Sequence, residues 1–236
     1  MEFKDLINLK EAGTEHPYAY KAVFMAGGPG SGKTYWSKNL FTSLGFSFSN
    51  SDNILELLAR TRNAPLDPSH PDFEPTVSIA QKVTQRRTES WIENGIPLVI
   101  DITGRNRDLV LNLNNQLIKK GYDTGMIFVN SSLNSAIEKN SLRDRQVDRD
   151  FLIQAWNDAQ RNRYYYNELF GEKYIEINTE ANTYTPKQIL NRVIGNPHQI
   201  NNPIGKEKII NIIKKTNRLT RQDVKWTRNL TSTTNV

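Results

Sequence analysis

The sequence predicts a three-layer α/β sandwich, a parallel five-stranded sheet with helices on both faces, followed by a basic C-terminal extension. Three observations lead there. Apolar runs of strand length alternate along the chain with segments of helical periodicity, the order that builds parallel sheets. A glycine-rich segment lies between the first such strand and the first such helix. Charge is unevenly placed: the 236-residue chain carries a formal +6, and eight lysines and arginines between Lys206 and Arg228, set against Glu207 and Asp223, account for all of it. The length suits one α/β domain with an appendage, divided into an arm over 1–19, a domain over 20–196 and a tail over 197–236.

The arm shows little pattern beyond a short helix from Phe3 to Glu11. Lys21 to Ala26 is a short buried strand. Gly27-Gly28-Pro29-Gly30-Ser31-Gly32-Lys33-Thr34 follows and fits G-x-x-x-x-G-K-[ST], the P-loop of nucleoside triphosphatases. The spacing has a chemical reason. Glycines let successive N–H groups turn inward around phosphate oxygens. Lys33 reaches the β- and γ-phosphates, and the Thr34 hydroxyl ligates Mg²⁺. Gly28, Pro29, Gly30, Ser31, Gly32, Lys33 and Thr34 are therefore the expected ATP-binding set. Trp36, Leu40, Phe41 and Leu44 recur at helical spacing from Lys33 onward, so a helix N-terminus faces the anion, and Gly45 stops the helix.

Phe46 to Asn50 alternates like a strand, and Ser51-Asp52-Asn53 caps a helix holding Ile54, Leu55, Leu57 and Leu58. Pro65, Pro68, Pro71 and Pro75 make Asn63–Pro75 a long surface loop. Thr76–Asn94 is helical, with Ala80, Val83, Arg87 and Trp91 along one side. Pro97–Asp101 is a strand ending in an acid. Asn106 caps a helix with Leu109, Val110, Leu113 and Leu117 on one face, closed by Gly121. Met126–Val129 is the next strand, and Ser132 opens the helix after it. Asp150–Phe170 is a long helix, Tyr174–Ile177 a last strand and Pro186–Ile194 a last helix of the domain. Lys206–Thr216 is a basic helix of the tail, and the residues from Arg221 onward read as extended.

Two carboxylates stand out. Asp52 follows the second strand at the carboxyl edge, where ligands of such sheets bind. There it could accept the proton of an attacking hydroxyl or serve only as a helix cap. Asp101 has the pattern of an acid that helps hold Mg²⁺; the alternative is an ordinary strand-end aspartate. Arg143, Arg145 and Arg149 lie between two helices and could fold over bound phosphates as a lid, or form a solvated turn with Asp144, Asp148 and Asp150. Asp101-Ile102-Thr103-Gly104 fits the short D-x-x-G pattern, but neither an N-K-x-D nor an L-S-G-G-Q motif occurs, which favours a small kinase over a switch or motor.

In order, Gly-Gly-Pro-Gly-Ser-Gly-Lys-Thr, Ser51-Asp52 at a helix start, Val-Ile-Asp-Ile-Thr-Gly, Ala136–Asp148 and Arg161-Asn162-Arg163-Tyr164 resemble the small P-loop kinases around zeta toxins and phage polynucleotide kinases. The resemblance covers roughly residues 20–195. It implies that Asp52 is the catalytic aspartate, that Arg143 and Arg145 join Lys33 and Thr34 in handling phosphate and metal, and that Asn178 and Thr179 lie near the nucleotide base. Ser51 stands where the group often has a charged or aromatic residue, and Val147-Asp148 where it has Val-Pro.

The acceptor is expected between the Asp52 helix and the Thr76–Asn94 helix, under the proline-rich loop. Arg87 and Arg105, with Arg60, Arg62 and Arg86, are candidates to bind its anionic groups. The basic tail favours a nucleic-acid hydroxyl slightly over a nucleotide sugar or nucleotide, and Trp226 could stack on a base. The same tail could instead dock a protein partner, with the ATP site structural, in an assembly or scaffold protein. Cysteine is absent, which excludes disulfides and thiolate metal sites. No apolar run approaches a membrane span and no signal-peptide core is present. The expected location is cytoplasmic, that of the host cell if the chain is phage-encoded.

Overall fold

A computed structural model describes residues 16–62, 66–67, 70–142, 146–181 and 184–216. The expected arm helix, the lid arginines Arg143 and Arg145, parts of the proline-rich loop and the end from Arg221 lie outside these residues.

The described elements are β1 (Lys21–Ala26), α1 (Lys33–Phe41), β2 (Ser47–Ser49), α2 (Ser51–Arg62), α3 (Phe73–Glu93), β3 (Leu98–Asp101), α4 (Arg107–Lys119), β4 (Asp123–Asn130), α5 (Leu133–Ser141), α6 (Arg149–Phe170), β5 (Tyr174–Asn178), α7 (Pro186–Val193) and α8 (Pro203–Thr216). The five strands are all parallel, in the order β2-β3-β1-β4-β5. The connection from β1 leads toward the β2 edge and that from β4 toward the β5 edge. A ligand crevice therefore opens at the carboxyl end of β1.

Strand alternation sends side chains to two apolar layers. Val23, Met25, Val99, Ile127, Val129, Ile175 and Ile177 face Leu40 and Phe41 of α1 and Ile189 and Val193 of α7. Phe24, Leu98, Ile100, Met126 and Phe128 face Val110 and Leu117 of α4, Ala159, Tyr166 and Phe170 of α6, and Ile209 of α8. Both faces are covered by helices, as the alternating pattern predicts.

Three local expectations are corrected. Helix α3 starts at Phe73, not Thr76, because Pro75 falls in its first turn, where a missing N–H breaks no helical bond. Strand β4 starts at Asp123, not Met126, since Lys21, Ala22 and Val23 pair with Asp123, Thr124 and Gly125. On α4, Val110, Asn114 and Leu117 form the buried stripe, and Leu109 is 57% exposed.

The amino edge of the sheet is closed by the chain's own C-terminal segment. Lys21 Nζ donates to Asp123 Oδ2 at 2.9 Å, with both side chains buried. The Asp123 carboxylate also accepts the N–H groups of Asn201 and Asn202, each at 2.8 Å, just before α8 begins. Gly205 then lies so close to Gly121 that a Cβ on it would meet the Gly121 carbonyl oxygen. Ile200 and Ile209 complete the apolar layer beneath.

Candidate functional site

The loop after β1 is seated on protein as well as shaped for an anion. Gly30 has φ of 78°, and a Cβ there would come within 2.5 Å of the Ala136 carbonyl oxygen on α5. At Gly28 a Cβ would press on Trp156 of α6, whose Nε1 donates to Ser131 O at 3.0 Å. The glycines thus let the loop lie against two helices. Lys33 Nζ donates to Gly27 O at 2.7 Å and Gly28 O at 3.1 Å, so its ammonium sits over the loop. Ser31 is 1% exposed, and its Oγ has no hydrogen-bond partner among the described residues. A buried hydroxyl of this kind suits a ligand that brings its own polar atoms.

Beside the loop lies a cavity of about 220 Å³, lined by Thr34, Lys38, Asn50, Asn53 and Asp101 over a floor that includes Phe48 and Val99. Thr34 and Asp101, expected to share a metal, line this one space. Asp101 reaches it because β3 runs parallel beside β1, with Met25 level with Asp101. A hydroxyl and a carboxylate are hard oxygen donors of the type Mg²⁺ takes alongside water and phosphate, so these residues fit that ion.

Asp52 occupies the first turn of α2 and is exposed. Its side chain is not the helix cap. Asn50 performs that role: its Oδ1 accepts the N–H of Asp52 at 2.7 Å and that of Asn53 at 3.4 Å. The same side chain donates through Nδ2 to Asp101 Oδ2 at 2.7 Å. Asn50 is the residue that sequence reasoning missed. Its place before a helix flagged a cap, but its link to Asp101 depends on register. Ser49 pairs with Ile100 across β2 and β3, which sets the next residues, 50 and 101, side by side.

Between α2 and α3, where the acceptor is expected, Ile54, Leu55, Phe73 and Ala80 pack as an apolar cluster. The cavity lies instead on the α1 side of α2. Neither Arg87 nor Arg105 is among its lining residues. The Arg87 guanidinium lies 4.9 Å over the Trp91 ring, and burial lowers its pKa. The Arg105 guanidinium lies 4.9 Å over Phe151. Arg107 over Tyr165 at 4.7 Å and Arg163 over Tyr164 at 5.0 Å repeat the arrangement along α6.

The base of the predicted lid is fixed. Asn140 is 7% exposed; its side chain donates to Val147 O at 2.7 Å and accepts Val147 N–H at 3.0 Å. Asp148, where the resembling group has proline, caps α6 by accepting the Phe151 N–H at 2.9 Å. Across the loop, the Thr179 methyl lies 4.0 Å from where a Cβ on Gly32 would sit. Asn178 Oδ1 accepts the Glu180 N–H at 2.9 Å, shaping the turn after β5. Among the described residues no helix is long and apolar enough to cross a membrane.

The profile of the AAA domain family matches residues 23–165. Among solved structures, the chain is similar to one from the PezAT chromosomal toxin–antitoxin system of Streptococcus pneumoniae, with 16% identity over 90% of each chain and a TM-score of 0.59. It is also similar to a chain of the AvrRxo1-ORF1:AvrRxo1-ORF2 complex with sulphate, at 13% identity, 94% of this chain, 80% of that one and a TM-score of 0.58. A chain of the same complex with ATP matches at 15% identity over 71% of this chain and 59% of that one, with a TM-score of 0.57. At these identities the likeness is one of fold. No curated protein matches the chain. The family match agrees with the small P-loop kinase group that the sequence resembles.

Proposed function

The chain belongs to this AAA domain family, and from that footing we propose that it is a Mg²⁺-dependent kinase moving the γ-phosphoryl group of ATP to a hydroxyl. The observation that carries the proposal is the meeting of Thr34, Asp101 and Asn50 at one cavity beside the phosphate loop, with Asp52 in the adjoining first turn of α2. In this reading the loop N–H groups and Lys33 hold the triphosphate. Thr34 and Asp101 hold the metal, and Mg²⁺ when bound neutralises charge on the transferring group. Asp52 takes the proton of the attacking hydroxyl, a role worth about 10²–10⁴-fold in rate. Arg143 and Arg145 cover the phosphates from a lid whose base Asn140 pins, and Asn178 and Thr179 border the base. Positioning and charge neutralisation supply most of the catalysis. The reaction belongs in the cytoplasm, that of a host cell if the chain is phage-encoded.

A nucleic-acid hydroxyl ranks slightly ahead of a nucleotide sugar or nucleotide as acceptor. What supports this order is the charge of the sequence beyond Pro197, where eight lysines and arginines oppose Glu207 and Asp223. Purified protein with Mg²⁺ and γ-labelled ATP is offered 5′-hydroxyl DNA, 5′-hydroxyl RNA, nucleotide sugars and nucleosides. Label on a nucleic-acid end is the expected result. Label on a nucleotide sugar overturns the ranking, and tight ATP binding with no label on any acceptor favours a scaffold with a structural ATP site.

A further inference from the structure

Asn50 uses both ends of one carboxamide. Nδ2 donates to the Asp101 carboxylate at 2.7 Å, while Oδ1 accepts the Asp52 N–H at 2.7 Å and the Asn53 N–H at 3.4 Å. The orientation is fixed by chemistry, because only the nitrogen can serve a carboxylate and only the oxygen can serve N–H groups. Both partners lie at the reaction site, and Asn50 itself lines the cavity with Thr34 and Asp101.

We infer that Asn50 is a positioning residue that couples the metal-binding carboxylate to the helix carrying the catalytic base. Its N–H holds Asp101 Oδ2 and so sets the rotation of that carboxylate toward Thr34. Its carbonyl oxygen fixes the first turn of α2 and so sets where Asp52 stands. This side chain therefore keeps metal and base in register, just beyond the last aligned pair of the two strands, Ser49 and Ile100. Losing a hydrogen-bond partner behind a metal ligand costs about 10–100-fold in metal affinity or activity. A cap alone would not require asparagine, since serine, threonine and aspartate cap equally well or nearly so. Only an amide of this length caps and donates to Asp101 together, and an aspartate would set two carboxylates face to face.

The inference rests on the reading of Asp101 as a metal-binding residue, and its test separates the two. Asn50→Ser keeps a capping oxygen and is too short to reach Asp101; Asn50→Thr is a second variant of the same kind. ATP affinity is measured by calorimetry in EDTA and across a Mg²⁺ titration, for wild type, Asn50→Ser, Asp101→Asn and the double variant. The expected result is an unchanged thermal midpoint and unchanged metal-free ATP affinity for Asn50→Ser. Its Mg²⁺ requirement for tight ATP binding rises about tenfold or more. In the Asp101→Asn background the Asn50→Ser change has no further effect, as coupling through one contact demands. A wild-type Mg²⁺ dependence in Asn50→Ser and Asn50→Thr, with Asp101→Asn impaired, overturns the inference and leaves the kinase reading standing. A wild-type Mg²⁺ dependence in Asp101→Asn removes the metal assignment and the inference with it.

Discussion

At the amino edge of the sheet, Asp123 accepts hydrogen bonds from Lys21 Nζ and from the N–H groups of Asn201 and Asn202, and Lys173 lies 3.7 Å away. At the carboxyl edge, the buried hydroxyls of Ser31 and Ser131 and that of Thr179 have no hydrogen-bond partner among the described residues. Around Asp123 and around the loop after β1, the same parallel strands thus end in different chemical conditions. At the amino edge the Asp123 carboxylate is satisfied by the chain itself and holds the start of α8 in place. At the other end polar capacity remains beside a glycine loop, where a ligand's polar atoms can complete it. With the proposed reaction at the carboxyl edge, stability and chemistry are separated along one axis, so perturbing one edge should leave the other largely intact.

The largest break is Asp123→Ala. It leaves Lys21 buried without its carboxylate, a change that costs about 3–5 kcal/mol. Denaturant unfolding should show that loss, while the folded fraction binds ATP with wild-type affinity. Weakened ATP binding per folded molecule would contradict the separation. Lys33→Ala is the converse. It removes a charge-assisted contact to phosphate, about 1.5–3 kcal/mol of ATP affinity, and should leave the unfolding midpoint within experimental scatter. Gly205→Ala forces a methyl against the Gly121 carbonyl. Overpacking of this kind costs about 1–3 kcal/mol, and hydrogen exchange should show the loss confined to α8 and the start of β4.

The smallest effect is with pH. Burial alone would raise the Asp123 pKa, but Lys21, Lys173 and the Asn201 N–H outweigh it and hold the carboxyl below its ordinary value. A depressed folded pKa contributes stability that is present above the unfolded value of about 4 and is lost as pH falls through the folded value. The acid limb of unfolding should therefore steepen below about pH 4 and flatten in Asp123→Asn. An identical acid limb in the variant would remove Asp123 from the account.

The comparison also explains what could be read from the sequence. The phosphate loop, the strand-ending Asp101 and the alternation of strands and helices are local signals, and the fold they predict is the one observed. Asn50 and Asp123 act through partners brought close by strand register, at separations of 51 and 102 residues. No local period announces such contacts. The Gly121–Gly205 approach is of the same kind, since either glycine alone reads as an ordinary helix stop or break. The apolar filling between α2 and α3 was legible as two amphipathic helices. That they pack on each other, leaving the cavity on the α1 side, follows only from the assembled sheet.

The central claim is that the carboxyl edge transfers phosphate with Asp52 as base. The most direct test is transfer from γ-labelled ATP to the acceptor found in the panel, for wild type and Asp52→Asn, with ATP affinity measured in parallel. The account predicts a rate lower by about 10²–10⁴-fold at unchanged ATP affinity. Transfer at the wild-type rate by Asp52→Asn would contradict it.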